Sequence, residues 1–239
     1  MSNKISMLKK YIYIKRNQTK LSFEKYLLIA LLWTPFSSIA QGVKPPLIDS
    51  SIYFQALQIQ GKKYTVLLTS SGCYILNTKK DTILRERGDY FGLKCLDFNQ
   101  DGFPDVFLEE SSNTPEMYSL LLYDPLNGRF KKVKNFDLFP SPTRIAGTKY
   151  YYSYHKNGCA DLDWVSDLFY LDHFRTKLIG KIHGSGCEPD TNQSIHIYKV
   201  NGPKQILYKI LPISIINSYR DSKWGFIKQY WSKKYTRFL

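Results

Sequence analysis

The sequence predicts one mostly-β domain of antiparallel meanders and hairpins, with a short C-terminal helix. Three observations carry that expectation. Tyrosine occurs 19 times in 239 residues, and with Ile, Val, Phe and Thr it favours pleated, half-buried strands. From Ser50 onward, short apolar runs are divided by turn-forming residues every few positions. Helical spacing is confined to the tail. A hydrophobic content of 43% excludes a disordered chain, and the length suits one core of ordinary size.

The N-terminus reads as a separate object. A lead containing Lys9, Lys10, Lys15, Arg16, Lys20 and Lys25 precedes the apolar run YLLIALLW (26–33), then Pro35, Ser38 and Ala40. A basic region, a short apolar region and small residues before a cleavage point form an export signal, so residues 1–40 are expected to be removed after Ala40. The apolar run is less than half of the ~20 residues a membrane span needs. The long lead makes Met7 an alternative start to Met1. Loss of the segment, with its seven Lys/Arg and one Glu, lowers the formal net charge from +14 to +8. That charge suits anionic envelope material or acidic partners, or simply solubility. Export, periplasmic or secreted, disfavours nucleic acid.

The expected mature domain, 45–239, divides in order. SIYFQALQI (51–59) alternates Ile52, Phe54 and Ala56 with polar neighbours; GKK turns into YTVLLTS, and SSG into CYILNT. TILRER, GLKCLDF and DVFLEE are further strand candidates. MYSLLLYDPLNGRFKKV (117–133) is a hairpin, because Asp124-Pro125 and Asn127-Gly128 supply turn dihedrals between apolar arms. SIHIYKV and QILYKIL, joined by NGPK, form another. TKYYYSYH (148–155) puts Tyr150, Tyr152 and Tyr154 on one strand face, a core edge in preference to a binding surface. In the tail, Trp224, Ile227, Trp231, Tyr235 and Phe238 recur at three- and four-residue spacing between basic residues. Asp221 or Ser222 is placed to cap this helix, and Gly225 weakens it. Docking on the parent domain is favoured over contact with an anionic envelope surface.

The four cysteines, Cys73, Cys95, Cys159 and Cys187, read as disulfides in an oxidising compartment. Three pairings are open; Cys73–Cys95 and Cys159–Cys187 are favoured because each pair flanks a compact region. Zinc-type C-x-x-C spacing does not occur.

LDFNQDGFPDVFLEE (96–110) is the stretch built for chemistry. Asp97, Asn99 and Asp101 present side-chain oxygens at alternate residues, Gly102 permits a sharp turn, the Phe103 carbonyl faces the same point, and Asp105 returns a carboxylate. Oxygen donors in this pattern suit Ca2+, with Mg2+ second because it needs stricter octahedral geometry. Position twelve is Leu108 rather than Glu, and Pro104 with DVFLEE reads as a strand, so the loop joins strands and is not an EF-hand. Nothing beside it reads as a catalytic base, and the ion is expected to be structural.

A second cluster, Asp161, Asp163, Asp167 and Asp172, has Val165 at the position matching Asp101 and no following glycine. Two carboxylates in reach can serve glycoside hydrolysis; a polar loop beside a strand is preferred. His155, His173, His183 and His196 are scattered, and neither H-E-x-x-H, G-x-S-x-G nor a phosphate-binding loop occurs. A non-enzyme is expected.

The acidic loop is similar to the calcium loops of integrin-type propeller repeats. A longer stretch, CLDFNQDGFPDVFLEESSNTPEMYSLLLYDPLNGRFKKV, resembles a family of exported calcium-binding proteins whose best-known kind protects bacteria from peptidoglycan hydrolases injected by rival secretion systems. The matching hairpin residues are Tyr118, Leu122, Tyr123, Asp124, Pro125, Gly128 and Phe130. The resemblance implies a β-propeller-like domain, calcium at Asp97, Asn99, Asp101, Phe103 and Asp105, and inhibition by a loop plugging a hydrolase cleft. The plugging loop is expected at 111–117 or 155–163. Family members are often lipid-anchored; no cysteine follows Ala40 at the position an anchor needs. The leading expectation is therefore an exported, calcium-stabilised inhibitor of a lysozyme-like hydrolase. The alternative is a structural or adhesive envelope module. A net charge of +8 repels basic hydrolases, and acidic loops at 97–105 and 161–172 are expected to supply a local negative patch.

Overall fold

The computed structural model describes residues 53–239 apart from 188, 190 and 191. The expected signal peptide, 1–40, and its cleavage point lie outside the described residues. No described helix is long and apolar enough to cross a membrane.

The domain is mostly β, with three antiparallel sheets in sequence order and no closed barrel. β1 (Tyr53–Ile59), β2 (Lys62–Thr69), β3 (Gly72–Leu76) and β4 (Thr82–Glu86) form an up-and-down meander, and β5 (Tyr90–Leu96), β6 (Asp105–Glu110), β7 (Tyr118–Asp124) and β8 (Arg129–Lys132) form a second. The third sheet contains β9 (Thr143–Arg144), β10 (Tyr150–Tyr152), β11 (His155–Lys156), β12 (Trp164–Asp172), β13 (Arg175–Ser185), β14 (Ser194–Asn201) and β15 (Lys204–Pro212). Its order is β15-β14-β13-β12-β10-β9, with β11 also on β12. α1 (Ser222–Lys234) follows.

Alternation decides what packs on what. Val106, Leu108, Leu121 and Tyr123 of the second sheet join Val66, Leu68 and Ile75 of the first. Their neighbours Phe107, Leu120 and Leu122 point the other way and meet Tyr151 and Phe169 of the third sheet. The central strands of the middle sheet, β6 and β7, are buried on both faces, which is why VFL and LLLY are continuous apolar runs.

Two expectations of detail change. In β1 the buried side chains are Leu57 and Ile59, while Phe54 and Ala56 are exposed; the strand presents the set opposite to the one its alternation marked. β12 and β13 form the longest hairpin, although 161–172 read as a loop. Their tight turn uses His173 at φ 54° rather than Gly, Asn or Pro, and β12 buries Ser166 and Asp167.

The free face of the third sheet carries Trp164, Leu168, Ile182, Ile195 and Ile197, and α1 covers it with Phe226, Ile227 and Trp231, followed by Phe238. The tail therefore docks on its own domain. Each such side chain contributes roughly 1.5–3 kcal/mol on burial. Buried Trp231 Nε1 donates to Ser166 Oγ at 2.9 Å, and that hydroxyl donates to the Ser153 carbonyl at 2.7 Å. Neither Asp221 nor Ser222 caps the helix through its side chain; both sit at positive φ, 68° and 52°. Gly225 is needed here, because the Arg220 carbonyl occupies the space a Cβ would take.

Cys159 and Cys187 form a disulfide with Cα atoms 5.9 Å apart. The expected Cys73–Cys95 bridge is not formed, and both are free thiols. They sit on different sheets, β3 and β5, as apolar members of one core. Burial pushes each thiol up to about 12, so neither is a reactive thiolate near neutral pH.

Denaturing alkylation should therefore modify two cysteines per chain, and native alkylation none; intact mass reads both. Ser166→Ala should lower stability by about 1–3 kcal/mol in urea unfolding, because it strands the Trp231 N–H. Much of that loss should be absent when Ser166→Ala is added to Trp231→Phe.

Candidate functional site

The expected metal loop lies between β5 and β6. Asp97 Oδ1 accepts from the Asp101 N–H and its Oδ2 from the Gly102 N–H, both at 3.0 Å. Asn99 Oδ1 accepts from Asp101 N–H at 3.1 Å, and Asp101 Oδ1 from Phe103 N–H at 2.9 Å. Gln100 at φ 60° and Gly102 at φ 90° reverse the chain. An added Cβ at Gly102 would meet nothing within 4 Å, so glycine is required for its dihedral and not for space.

Asp105 closes the loop from inside the protein. It has no exposed surface, and its oxygens accept from Phe98 N–H at 3.0 Å and Tyr123 N–H at 3.1 Å. Burial pushes its carboxyl up to about 7, assisted by the charge of Asp101 and opposed by the amide hydrogen bonds. Among the described ion pairs, none involves Asp97, Asp101 or Asp105. The donor types are those a hard divalent cation takes, oxygen-only with excess negative charge, but the Asp97, Asp101 and Asp105 carboxylates are not gathered within 4.8 Å of one another. Asp97, Asn99 and Asp101 can offer side-chain oxygens, Phe103 its carbonyl, and Asp105 its carboxylate. The described His, Cys, Asp and Glu ligand atoms that lie within 4.8 Å of one another belong instead to Cys159, Asp163 and Cys187; that sulfur pair is bonded as a disulfide, which leaves no thiolate for a metal.

The loop's aromatics reach into both cores. Phe103 packs on Tyr123, with centroids 5.5 Å apart, in the first. Phe98 stacks on Tyr151 at 4.6 Å and meets Phe107 and Phe136 edge-on in the second. The Phe98 carbonyl also accepts from the Tyr151 hydroxyl at 3.1 Å.

The second acidic cluster is dispersed. Asp161 pairs with Lys223 at 2.6 Å and accepts a short hydrogen bond from the Tyr154 hydroxyl. Burial acts to raise its pKa, but Lys223 and Tyr154 outweigh this and hold it below the usual carboxylate value. Asp163 Oδ1 accepts the Gly186 and Cys187 N–H groups at 2.9 and 3.0 Å. Asp167 is buried 3.8 Å from Lys181, and burial pushes it up to about 6. Asp172 faces His173 and Lys177. These four do not form the expected exposed negative patch, nor a facing pair of acids.

The segment around Asp161 is nonetheless distinctive. Cys159, Ala160 and Asp161 are consecutive non-glycine residues with φ of 50°, 49° and 74°, a left-handed run that L-residues resist by roughly 1–2 kcal/mol each. The Cys187 disulfide, the Asp163 carboxylate and Lys223, which also donates to the Asp161 carbonyl at 2.8 Å, hold it in place. Leu162 beside it is 56% exposed. No local motif marks such a loop; only its tertiary anchors reveal it.

Both expected contact segments, 111–117 and 155–163, meet on one cavity of about 310 Å³ lined by Thr114, Pro115, Glu116, His155, Lys156 and Trp224. Tyr152, Tyr154 and Trp224 also line a neighbouring trough of about 570 Å³. Tyr150, Tyr152 and Tyr154 all pack with the helix-side core, as a core edge. His183 and His196 sit opposite each other on β13 and β14.

No family model matches this chain, and no curated protein matches it. A solved structure described as a Xanthomonas type IV secretion system related protein is similar over 67% of this chain and 90% of its own, at 14% identity and a TM-score of 0.42. A likeness that distant carries no functional argument.

A raised folded-state pKa at Asp105 means the folded chain holds a proton that the unfolded chain has lost, between about pH 4 and pH 7. In chelator, this group's contribution should therefore fall as pH rises through that window, by up to about 4 kcal/mol. Urea unfolding at pH 5 and pH 8 should show a smaller decline for Asp105→Asn than for the parent.

Proposed function

We propose that this protein is an exported, calcium-stabilised binding protein that inhibits a peptidoglycan hydrolase by filling its active-site cleft with the loop at 155–163. The observation that carries the reading is the left-handed run at Cys159, Ala160 and Asp161, held by a disulfide, an ion pair and two amide hydrogen bonds. Backbone held against its preference persists where surroundings over-determine it, and such positions gather at ligand clamps. A loop fixed before binding loses little entropy on entering a cleft. Leu162 and Ala160 give it an apolar tip, and Lys156 and Asn157 a polar flank, all exposed.

Calcium at Asp97, Asn99, Asp101, Phe103 and Asp105 is supported by the oxygen-only donors and by the absence of a described ion pair to those carboxylates. Its role in this reading is structural. Export is supported by the disulfide, which persists in oxidising compartments. Action by binding rather than catalysis is supported by Asp161, Asp163, Asp167 and Asp172, each engaged by a different partner.

The test is a turbidity assay of peptidoglycan hydrolases with the mature chain. Leu162→Asp, and separately the paired Cys159→Ser and Cys187→Ser changes, should weaken inhibition about tenfold or more. The thermal melt of Leu162→Asp should match the parent. Full inhibition by both variants would place the contact elsewhere. Retention on wall polymer with no hydrolase inhibited would favour the structural or adhesive module.

A further inference from the structure

β15 is the outer strand of the third sheet, and among the described residues it pairs along one side only, with β14. Seven consecutive residues, Lys204 to Ile210, are exposed. Ile206, Leu207 and Ile210 are 59%, 48% and 53% exposed. Because adjacent strand positions point to opposite faces, Ile206 and Leu207 make the edge apolar on both. An exposed, long, apolar edge with unpaired N–H and C=O groups is a template for another strand.

Charge narrows the occupant. No Asp or Glu occurs between residues 192 and 220, whereas Lys199, Lys204, Lys209 and Arg220 do. Arg237 adds its guanidinium, donating to the Tyr208 hydroxyl at 3.2 Å, and Lys199 Nζ lies 5.4 Å from the Tyr208 ring. A second copy of this edge would bring two lysine-bearing strands together, and like charges across a strand pair destabilise it. A lipid surface takes an element with one apolar and one polar face, unlike this one. An extended segment with carboxylates between apolar residues fits both features. It continues the sheet's hydrogen bonds, covers side chains on both faces and meets the lysines with opposite charge.

We propose that β15 is a strand-addition site for an extended, acidic and apolar segment of a partner protein. The site is on a different strand from the contact loop and is independent of the hydrolase reading.

The probe is a short synthetic peptide of valine pairs alternating with glutamate pairs, which places both residue types on each face of an extended strand, titrated into the mature chain, with a second version N-methylated at alternate amides. Saturable binding is expected. N-methylation should weaken it about tenfold, the loss of one or two net hydrogen bonds. Ile210→Glu and Lys209→Glu, both at exposed positions, should weaken it similarly without changing the melt. Hydrogen exchange should show β15 amides that are unprotected alone and protected with peptide. Equal binding of the N-methylated peptide overturns the proposal, as does no binding. Protection of the outer β15 amides in the free chain would mean the edge is already covered, by the chain itself or a second copy. Binding to phosphatidylglycerol vesicles instead of the peptide would assign the edge to a lipid surface. Either result also overturns the proposal.

Discussion

The buried carboxylate of Asp105 is the constraint on which the domain's stacking rests. One carboxylate accepts the Phe98 and Tyr123 amides, so the acidic loop is tied at once to its own start and to the C-terminal end of β7. That tie aims Phe103 into the core between the first two sheets and Phe98 into the core between the second and third. A desolvated anion beside Asp101 is costly without a cation, because both burial and like charge oppose ionisation. A calcium ion bound in the loop would relieve that cost, and the folded loop would in turn hold the three sheets in their stack.

The same chain of support reaches the proposed contact loop. Phe98 rests on Tyr151 of β10, and the other face of that sheet receives α1. Lys223 at the start of α1 holds Asp161, and the disulfide ties Cys159 to the segment after β13. The left-handed run is thus fixed by elements far apart in sequence. This arrangement explains how a loop with three residues in a disfavoured conformation can remain in place: the anchors are paid once, by the fold.

Much of this was legible in the sequence, for reasons that differ by element. The turn between β5 and β6 and its glycine were readable because residue spacing and turn dihedral are local properties. So were the hairpins at 117–133 and 194–211, whose turns carry Asn-Gly or Asn-Gly-Pro. The β12–β13 hairpin was hidden because its turn lacks those residues and its strand buries Ser166 and Asp167, whose partners come from β10's continuation and β13. The inner face of β1 was misassigned because an edge strand exposes apolar residues on one side and buries them on the other. Cys73 and Cys95 looked like a bridge by count and spacing, yet they serve as packing atoms. Gly225 counted against a helix until the Arg220 carbonyl supplied its reason. The strained loop at 159–161 left no sequence signal, since its stability is entirely tertiary.

The most direct test of the central claim is the thermal melt of the mature chain in calcium and in chelator, repeated with Asp101→Ala. Calcium at about a hundredfold above its dissociation constant should raise the midpoint by roughly 5–10 °C, and Asp101→Ala should abolish the difference. Superimposable melts of the parent chain in calcium and chelator would contradict the account.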